Sequence, residues 1–409
     1  MVASLISVRS LLLSIFMLMA GSGFLSTLMS LRLEANGTSQ LLIGLIGTAY
    51  FAGLTLGALR AGRIIERVGH IRAFTAFVSL FSASTLACTI WQDFSFWAVL
   101  RFVEGVSLAG VFICIESWLN ERATPQTRGA ILAFYMVALY AGQGAGQFLL
   151  DLGNRAPALP FIAASILLSL AVIPIALTRL PGPVLGVSTP LSFLRLYRIS
   201  PLGIFGAAMT GVMLGGFYAL GAIYAHGLGM ARSQTALFMS VVIMGGVVLQ
   251  VPIGRLSDRF DRRKVIIGTF AGAGIVSMIL GAPLWPPGVV DALGLLFGGL
   301  VFTLYPLCVA HTNDFLDPEQ RVGASGGLVL VYSIGAAIGP VIAAIAMTRT
   351  GPGGLFIFLA LAALAAVGFG VWRQRVREPV PNEQQQPYQI LTRTTPVVAT
   401  LDPNTPEEG

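Results

Sequence analysis

The stretch GRIIERVGHIR, residues 62–72, has a near copy in GRLSDRFDRRK, residues 254–264, at an offset of 192 residues. A second set of matches lies at an offset of 193 residues: Gly105, Asn120, Pro125, Arg128, Gly142 and Gly146 correspond to Gly298, Asn313, Pro318, Arg321, Gly335 and Gly339. Matches in register over so long an interval indicate a structural repeat rather than chance. The chain is therefore predicted to consist of two related halves.

The composition around these stretches is that of a membrane protein. Of the 409 residues, 55% are hydrophobic and only 11% are charged, against about 25% charged residues in soluble domains. The 48 glycines are also typical of membrane helices. This composition argues against a soluble enzyme, a disordered chain and a nucleic-acid-binding protein. The net charge of +7 suits contact with anionic membrane lipids.

Twelve apolar stretches are long enough to cross a bilayer, which takes roughly 20 residues. They are residues 8–31, 41–61, 73–92, 96–118, 128–150, 157–178, 201–225, 234–254, 265–284, 289–312, 322–347 and 353–373. A signal peptide is an alternative for the first stretch, although its length and its counterpart in the second half favour a span. We predict an all-α membrane protein with twelve transmembrane helices in two pseudo-symmetric six-helix halves, which makes the repeats parallel.

The basic residues predict the orientation of the spans. Twenty of the 25 Lys and Arg residues fall on the side shared by the two termini, and four fall on the opposite side. The positive-inside rule therefore predicts a multi-pass protein of the cell inner (plasma) membrane with both termini in the cytoplasm. We divide the chain into an N-terminal half (1–178), a cytoplasmic linker (179–200), a C-terminal half (201–373) and a tail (374–409). The tail is rich in proline and polar residues and is predicted to be disordered.

The repeated stretch also carries a family resemblance. GRLSDRFDRRK resembles the loop signature of the major facilitator superfamily, Gly-x-x-x-Asp-Arg-x-Gly-Arg-Arg, with Asp261 at the second Gly. The first copy has Glu66 in place of Asp. RFVEG, residues 101–105, resembles the fourth-span signature of the family, and RFVEG followed by ESWLNE and LYPL is similar to the bacterial YcaD-like group. The resemblance covers residues 1–375 and implies the facilitator fold and transport by alternating access.

The resemblance implies a conformational role for the two loop copies. In a facilitator fold Glu66 would face the start of span eleven, and Asp258 the start of span five, where a helix carries about half a positive charge. Such contacts form only when the cytoplasmic side is closed, and each would favour the outward-facing state by about 1 kcal/mol. The predicted gating set, in which Arg67 and Arg259 hold the carboxylates, is Gly62, Glu66, Arg67, Gly69, Gly254, Asp258, Arg259 and Arg262. The alternative is that these charges only set the topology.

Arg101 and Glu104 are three residues apart on one face of predicted span four and can pair. Ionisable residues within spans are costly and are functional candidates by default. The resemblance implies that Arg101 faces the central cavity and takes part in proton coupling, and Glu104 is a candidate to carry the proton or to bind a cationic substrate. The alternative is a pair that only locks two helices. Glu116, near the cytoplasmic end of the span, is expected to pair with Arg122 or Arg128.

Tyr140, Gln143 and Gln147 form a polar stripe along one face of predicted span five. The matching positions of span eleven are Ser333, Ala336 and Pro340, so the stripe exists in the first half only. The first half is thus predicted to supply the polar contacts to a substrate, and the second half a mainly apolar wall. Hydrogen bonding between helices is the alternative. Five further candidates for the cavity are Tyr50, Tyr135, Tyr218, Tyr305 and Tyr332.

The sequence contains no nucleotide-binding loop, no nucleophile with a base and no metal-binding pattern. We therefore predict a protein that is not an enzyme and has no cofactor or metal. The predicted function is secondary active transport of a small organic molecule, coupled to protons, with efflux ahead of import. The few ionisable residues in the spans favour a neutral or cationic substrate. Membrane lipids are expected partners, and nucleic acid and an obligate protein partner are not. The alternatives are a uniporter without proton coupling and a non-transporting ligand sensor.

Overall fold

The computed structural model describes residues 2–124, 126–178, 192–282, 285–317, 320–376, 378, 380, 381, 385–390, 393–395 and 397. Four parts of the sequence prediction lie outside the described residues. They are the repeat-matched prolines Pro125 and Pro318, linker residues 179–191, residues 283 and 284 at the end of the ninth predicted span, and tail residues 377, 379, 382–384, 391, 392, 396 and 398–409.

The first half contains eight α-helices and one 3-10 helix among its described residues. α1 (Val2–Ser22) and α2 (Leu25–Ala35) form one span with a break at Gly23 and Phe24. The next helices are α3 (Gln40–Val68), α4 (His70–Ala87), α5 (Phe94–Arg122) and α6 (Arg128–Gly146), which a 3-10 helix (Gln147–Asn154) extends. The half ends with α7 (Leu159–Leu170) and α8 (Val172–Ala176), which form one span.

The second half follows a short linker helix, α9 (Phe193–Ile199). Its six long helices are α10 (Pro201–Gly227), α11 (Arg232–Arg259), α12 (Arg262–Gly281), α13 (Pro287–Asn313), α14 (Arg321–Thr350) and α15 (Gly354–Val376). The last helix extends three residues beyond the predicted end of this half.

Within the described part of the chain, eleven helical units are long and apolar enough to cross a membrane. α4 is the twelfth unit. His70 and Arg72 at its start and its several serines and threonines make it less apolar, but it packs against α5 and α7 and connects α3 back to α5. The prediction of an all-helical membrane protein with two six-helix halves is confirmed.

The two halves have the same internal packing. α3 packs against α5 as α11 packs against α13, and α1 packs against α6 as α10 packs against α14. Repeat-matched glycines lie at these close approaches. Gly105 lies against the carbonyl oxygen of Tyr50, and Gly298 lies against that of Val242, with no room for a Cβ atom at either glycine. The sequence repeat is therefore also a repeat of backbone contacts.

One end of the molecule carries the loops at 62–72 and 254–264, and we call it the basic face. At the other end, the opposite face, the two halves contact each other directly. Thr48 Oγ1 donates a hydrogen bond to the carbonyl oxygen of Ala337 at 2.7 Å. His226 Nδ1, at the end of α10, lies 3.0 Å from Glu34 Oε2, at the end of α2. These contacts close the opposite face.

The tail residues 388–390 and 393–395 lie between the halves near the basic face. The ring of Tyr388 packs against Gly254, and the Thr395 hydroxyl donates a hydrogen bond to Glu116. The disorder of residues 374–409 stays a prediction, and the structure shows two features of this segment. Residues 374–376 end α15, and the described residues at 385–390 and 393–395 contact the helices. The composition of the tail predicts disorder because it reflects only the tail itself. The helices that the tail contacts are distant in the sequence, and the composition does not reveal them.

Candidate functional site

A cavity lies between the two halves and contains about 830 Å³ of empty space, part of which is open to solvent. Most of its lining comes from the first half, including the break between α1 and α2. The second half contributes Tyr218 and Tyr332, and the tail contributes Arg393 and Thr394. Polar contacts thus come mainly from the first half, while the second half offers aromatic rings with hydroxyl groups.

The structure brings six of the predicted site residues together in this lining: Tyr50, Arg101, Tyr140, Gln143, Tyr218 and Tyr332. They lie on α3, α5, α6, α10 and α14, so residues distant in the sequence converge on one space. The Tyr218 hydroxyl donates to Gln143 Oε1 at 3.4 Å, which joins the two halves across the cavity. Two members of the polar stripe, Tyr140 and Gln143, therefore face the cavity.

Two other candidates lie behind the lining. Gln147 is buried, and its Nε2 donates to the carbonyl oxygen of Gly23 at 3.0 Å. It holds the end of α6 to the break between α1 and α2. This contact matches the alternative stated above for the polar stripe, in which its side chains form hydrogen bonds between helices. Tyr305 packs edge-on against Tyr332 with the ring centres 5.4 Å apart. Helical spacing alone does not distinguish a face toward a cavity from a face toward a neighbouring helix.

Arg101 and Glu104 form the buried ion pair that their spacing predicts, with Nη1 2.7 Å from Oε2. Arg101 Nη2 also donates to Ser26 Oγ at 2.7 Å, and its guanidinium carbon lies 4.2 Å from the centre of the Tyr50 ring. Glu104 accepts a second hydrogen bond from Thr85 Oγ1 at 3.2 Å. The arginine lines the cavity, whereas the carboxylate lies behind it, orients it and neutralises its charge.

Glu116 is a second buried carboxylate on α5, closer to the basic face. The hydroxyl of Tyr135, a predicted cavity residue, donates to Glu116 Oε1 at 2.9 Å. The hydroxyls of Thr394 and Thr395 in the tail also donate to this carboxylate. The expectation of pairing with Arg122 or Arg128 overlooked these hydroxyl partners, because the tail residues lie more than 270 positions away in the sequence.

Three contributors to the site were missed at the level of sequence. Ser26 holds Arg101, and Phe302 packs behind the cavity lining under Arg393, whose guanidinium carbon lies 4.6 Å from the ring centre. A serine in an apolar span was the available signal for Ser26, because small polar residues in spans often bond across helices. Phe302 and Arg393 carried no comparable signal in their own sequence neighbourhoods.

The second loop copy is an ordered ion-pair cluster at the basic face. Arg262 is buried and lies 2.5 Å from Asp314 Oδ1 and 3.3 Å from Asp258 Oδ1. Asp261 caps α12, because its carboxylate accepts the backbone N–H of Arg263 at 3.0 Å. Partial burial raises the pKa of Asp261, but the hydrogen bonds and charge of Arg263 outweigh burial and hold this pKa below its ordinary value. Capping explains an aspartate where the family pattern has glycine.

Three other gating candidates, Glu66, Asp258 and Gly69, have different surroundings at the basic face. Glu66 is exposed. Asp258 accepts a hydrogen bond from the backbone N–H of Tyr388 at 2.8 Å. Gly69 ends α3 with a φ of 86°, a left-handed conformation that favours glycine. The predicted contacts of Glu66 and Asp258 with helix starts belong to a state closed at the basic face, and they stay predictions.

Comparison with known proteins agrees with this architecture. The sequence pattern described as Major Facilitator Superfamily matches residues 11–246 and 202–401. Relatives named "Uncharacterized MFS-type transporter YcaD" from Salmonella enteritidis PT4 (strain P125109) and Salmonella typhi are 30% identical over 359 residues, which is 86% of this chain and 92% of each relative.

Two solved structures have a similar fold. The nucleoside transporter NupG has a TM-score of 0.75 and 11% identity, over 90% of this chain and 98% of that chain. A bacterial homologue of the human lysosomal transporter Spinster, inward-facing and unoccupied, has a TM-score of 0.71 and 14% identity, over 94% of this chain and 98% of that one. At such low identity these structures establish the fold alone.

Proposed function

This chain belongs to the major facilitator superfamily, and from that premise we propose that it is a proton-coupled secondary transporter of a small organic molecule. The observation that carries the proposal is the cavity between the halves, which direct contacts seal at the opposite face. Transport by alternating access needs such a central site, with one side closed at a time. The excess of basic residues supports placing the basic face in the cytoplasm of an inner-membrane protein.

Under this proposal, the buried carboxylates Glu104 and Glu116 carry the coupling proton. A proton on Glu104 would leave the charge of Arg101 uncompensated beside the cavity and would repel a cationic substrate, so that proton and substrate would bind in alternation, as exchange requires. Glu116 lies closer to the basic face and would exchange protons with the solution there. Efflux is the direction we favour, since the cavity would then receive its substrate from the cytoplasm.

A uniporter without proton coupling is the second candidate. The observation that favours it is the position of Glu104, which lies behind Arg101 and is fully buried. A carboxylate in that place has a sufficient structural role in orienting the arginine. The two candidates differ in one measurable property, the proton movement that accompanies substrate.

The test uses purified protein in vesicles that contain a pH-sensitive dye and are exposed to a panel of organic cations and neutral metabolites. We expect a compound to drive proton flux with wild type and to lose that flux with Glu104→Gln, while exchange of labelled compound continues. Glu121→Gln is the matched control, because it makes the same change on the same helix at an exposed position, and it should behave as wild type.

Other outcomes would contradict the proposal in different ways. Transport of a compound without proton flux in wild type would establish the uniporter. Binding of a compound without transport would favour a ligand sensor on the same fold.

A further inference from the structure

A side chain of the protein itself occupies the central cavity. The guanidinium carbon of Arg393 lies 4.6 Å from the centre of the Phe302 ring and 5.7 Å from that of Tyr332. Its Nη2 donates to the Tyr218 hydroxyl at 3.2 Å, and Tyr140 and Tyr332 line the same cavity as the arginine. We call Tyr140, Tyr218, Phe302 and Tyr332 the aromatic cage.

Both halves of the protein build the cage. Tyr140 comes from α6 in the first half, and the other three rings come from α10, α13 and α14 in the second. Tyr140 and Tyr218 contact Phe302 edge-on, with ring centres 5.4 Å and 6.1 Å away and planes about 70° apart. These edge contacts order the rings, and the faces of Phe302 and Tyr332 are turned toward the guanidinium.

The chemistry of the cage selects for one kind of cation. Its four members offer ring faces and phenol oxygens and no carboxylate. Nearby, Arg101 is neutralised by Glu104 at 2.7 Å. Ring faces attract cations and repel anions. A compact ammonium or metal ion holds its water strongly, whereas a guanidinium is weakly hydrated. The cage therefore suits a weakly hydrated organic cation.

The residues that follow Arg393 define a second feature of the site. The hydroxyls of Thr394 and Thr395 donate to Glu116. These residues lie one and two positions along the chain, about 4–7 Å from the arginine backbone. A ligand that carries a cation together with a hydroxyl or N–H group, and is long enough to reach from the cage to Glu116, would satisfy both the cage and the carboxylate.

The tail is held in place where it enters from the basic face. The backbone N–H of Gln386 donates to Asp314 Oδ1 at 2.9 Å, and Arg262 Nη2 donates to the Gln386 carbonyl at 2.5 Å. From Val376 to Arg393 is 17 residues, which span up to about 56 Å when extended. A tethered group of this kind has a high effective concentration at its site.

We propose that the aromatic cage binds the cationic group of an organic monocation, and that Arg393 is an internal competitor for the same place. This binding would define the substrate class of the transport function proposed above, and its biological purpose rests on that function. The ligand displaces Arg393 when it binds, so the affinity measured in wild type is lower than the affinity of the empty cage.

The test measures binding to the purified full-length protein by calorimetry, with benzylguanidinium as the probe. Benzylurea is the neutral probe of similar shape, and phenylacetate is the anionic one. We expect the cation to bind at least about tenfold more tightly than either, and Arg393→Ala to tighten cation binding by about tenfold or more, as the population of free cage rises. Arg375→Ala removes an exposed arginine at the end of α15 and should change nothing.

A second variant tests the cage itself. Phe302→Leu keeps an apolar side chain of similar volume and removes the ring face. In the Arg393→Ala background it should weaken benzylguanidinium binding by about tenfold, with benzylurea unchanged. Equal binding of the cation and benzylurea, or an unchanged affinity in Arg393→Ala, would overturn the proposal.

The failure of this inference is distinguishable from that of the transport function. If vesicles transport a neutral compound and the protein binds no cation, the function stands and the cage proposal is wrong. If the cation binds in the predicted pattern and no compound crosses the membrane, the cage proposal stands and the transport proposal is wrong.

Discussion

At the scale of single residues, the Arg101–Glu104 pair determines the charge of the cavity wall. Both side chains are buried, and every described partner of Glu104 is a donor: Arg101 from one side and Thr85 from another. Desolvation makes such a pair costly, but removing one member costs more, because the other charge is left buried alone. The two side chains therefore act as a unit, and the effect of a single substitution on stability mainly measures the cost of the buried charge that remains.

Stability measurements can separate these effects. We expect Arg101→Ala to destabilise the protein by about 3–5 kcal/mol, because Glu104 loses its counter-charge in a buried site. The double variant Arg101→Met with Glu104→Leu removes both charges and should recover most of that loss. Thermal unfolding in detergent measures both. A double variant as unstable as Arg101→Ala would show that packing, and not the unpaired charge, dominates.

At the scale of elements, glycines determine how closely the helices of each half approach. Gly105 on α5 lies against α3, and Gly298 on α13 lies against α11, at corresponding points of the two halves. Membrane helices associate through such close contacts between small residues. Because these two glycines occupy corresponding positions, both halves depend on a close approach of a glycine to a neighbouring helix backbone.

Substituting these glycines should affect the two halves alike. Gly105→Ala and Gly298→Ala each force a methyl group against a backbone carbonyl, and we expect each to cost about 1–3 kcal/mol. Gly268→Ala is the control, because Gly268 lies within α12 with open space around it; this change should be neutral or stabilising. The measurement is the thermal unfolding midpoint of each variant. A large loss for only one of the buried glycines would contradict equivalent packing.

At the scale of the whole molecule, the structure is closed at the opposite face and holds its own tail near the basic face. The opposite face is closed by contacts between α3 and α14 and between the ends of α2 and α10. These contacts must separate for the cavity to open toward that side. The exposed Glu66 and the tail-bonded Asp258 would then be free to engage the starts of α14 and α6.

A reversible cross-link tests this motion. Thr48→Cys combined with Ala337→Cys places a thiol on each half at the closed opposite face, where the native residues are joined by a 2.7 Å hydrogen bond. Oxidation should stop transport, and a reductant should restore it, because the halves can no longer separate there. Each single variant serves as a control, and the native cysteines are buried. Undiminished transport with the cross-link formed would rule out opening at this place.

The sequence by itself determined the helical class, the twelve spans, the two-fold repeat and the Arg101–Glu104 pair. These features depend on hydrophobic runs and on spacings within one helix, which are local properties of the chain. Only the tertiary structure decided that Tyr140 and Gln143 face the cavity while Gln147 binds a neighbouring helix. It also decided that the tail lies in the cavity, because the contacts involved join residues as far as 279 positions apart. No local pattern records such contacts, since they exist only once the two halves enclose a common space.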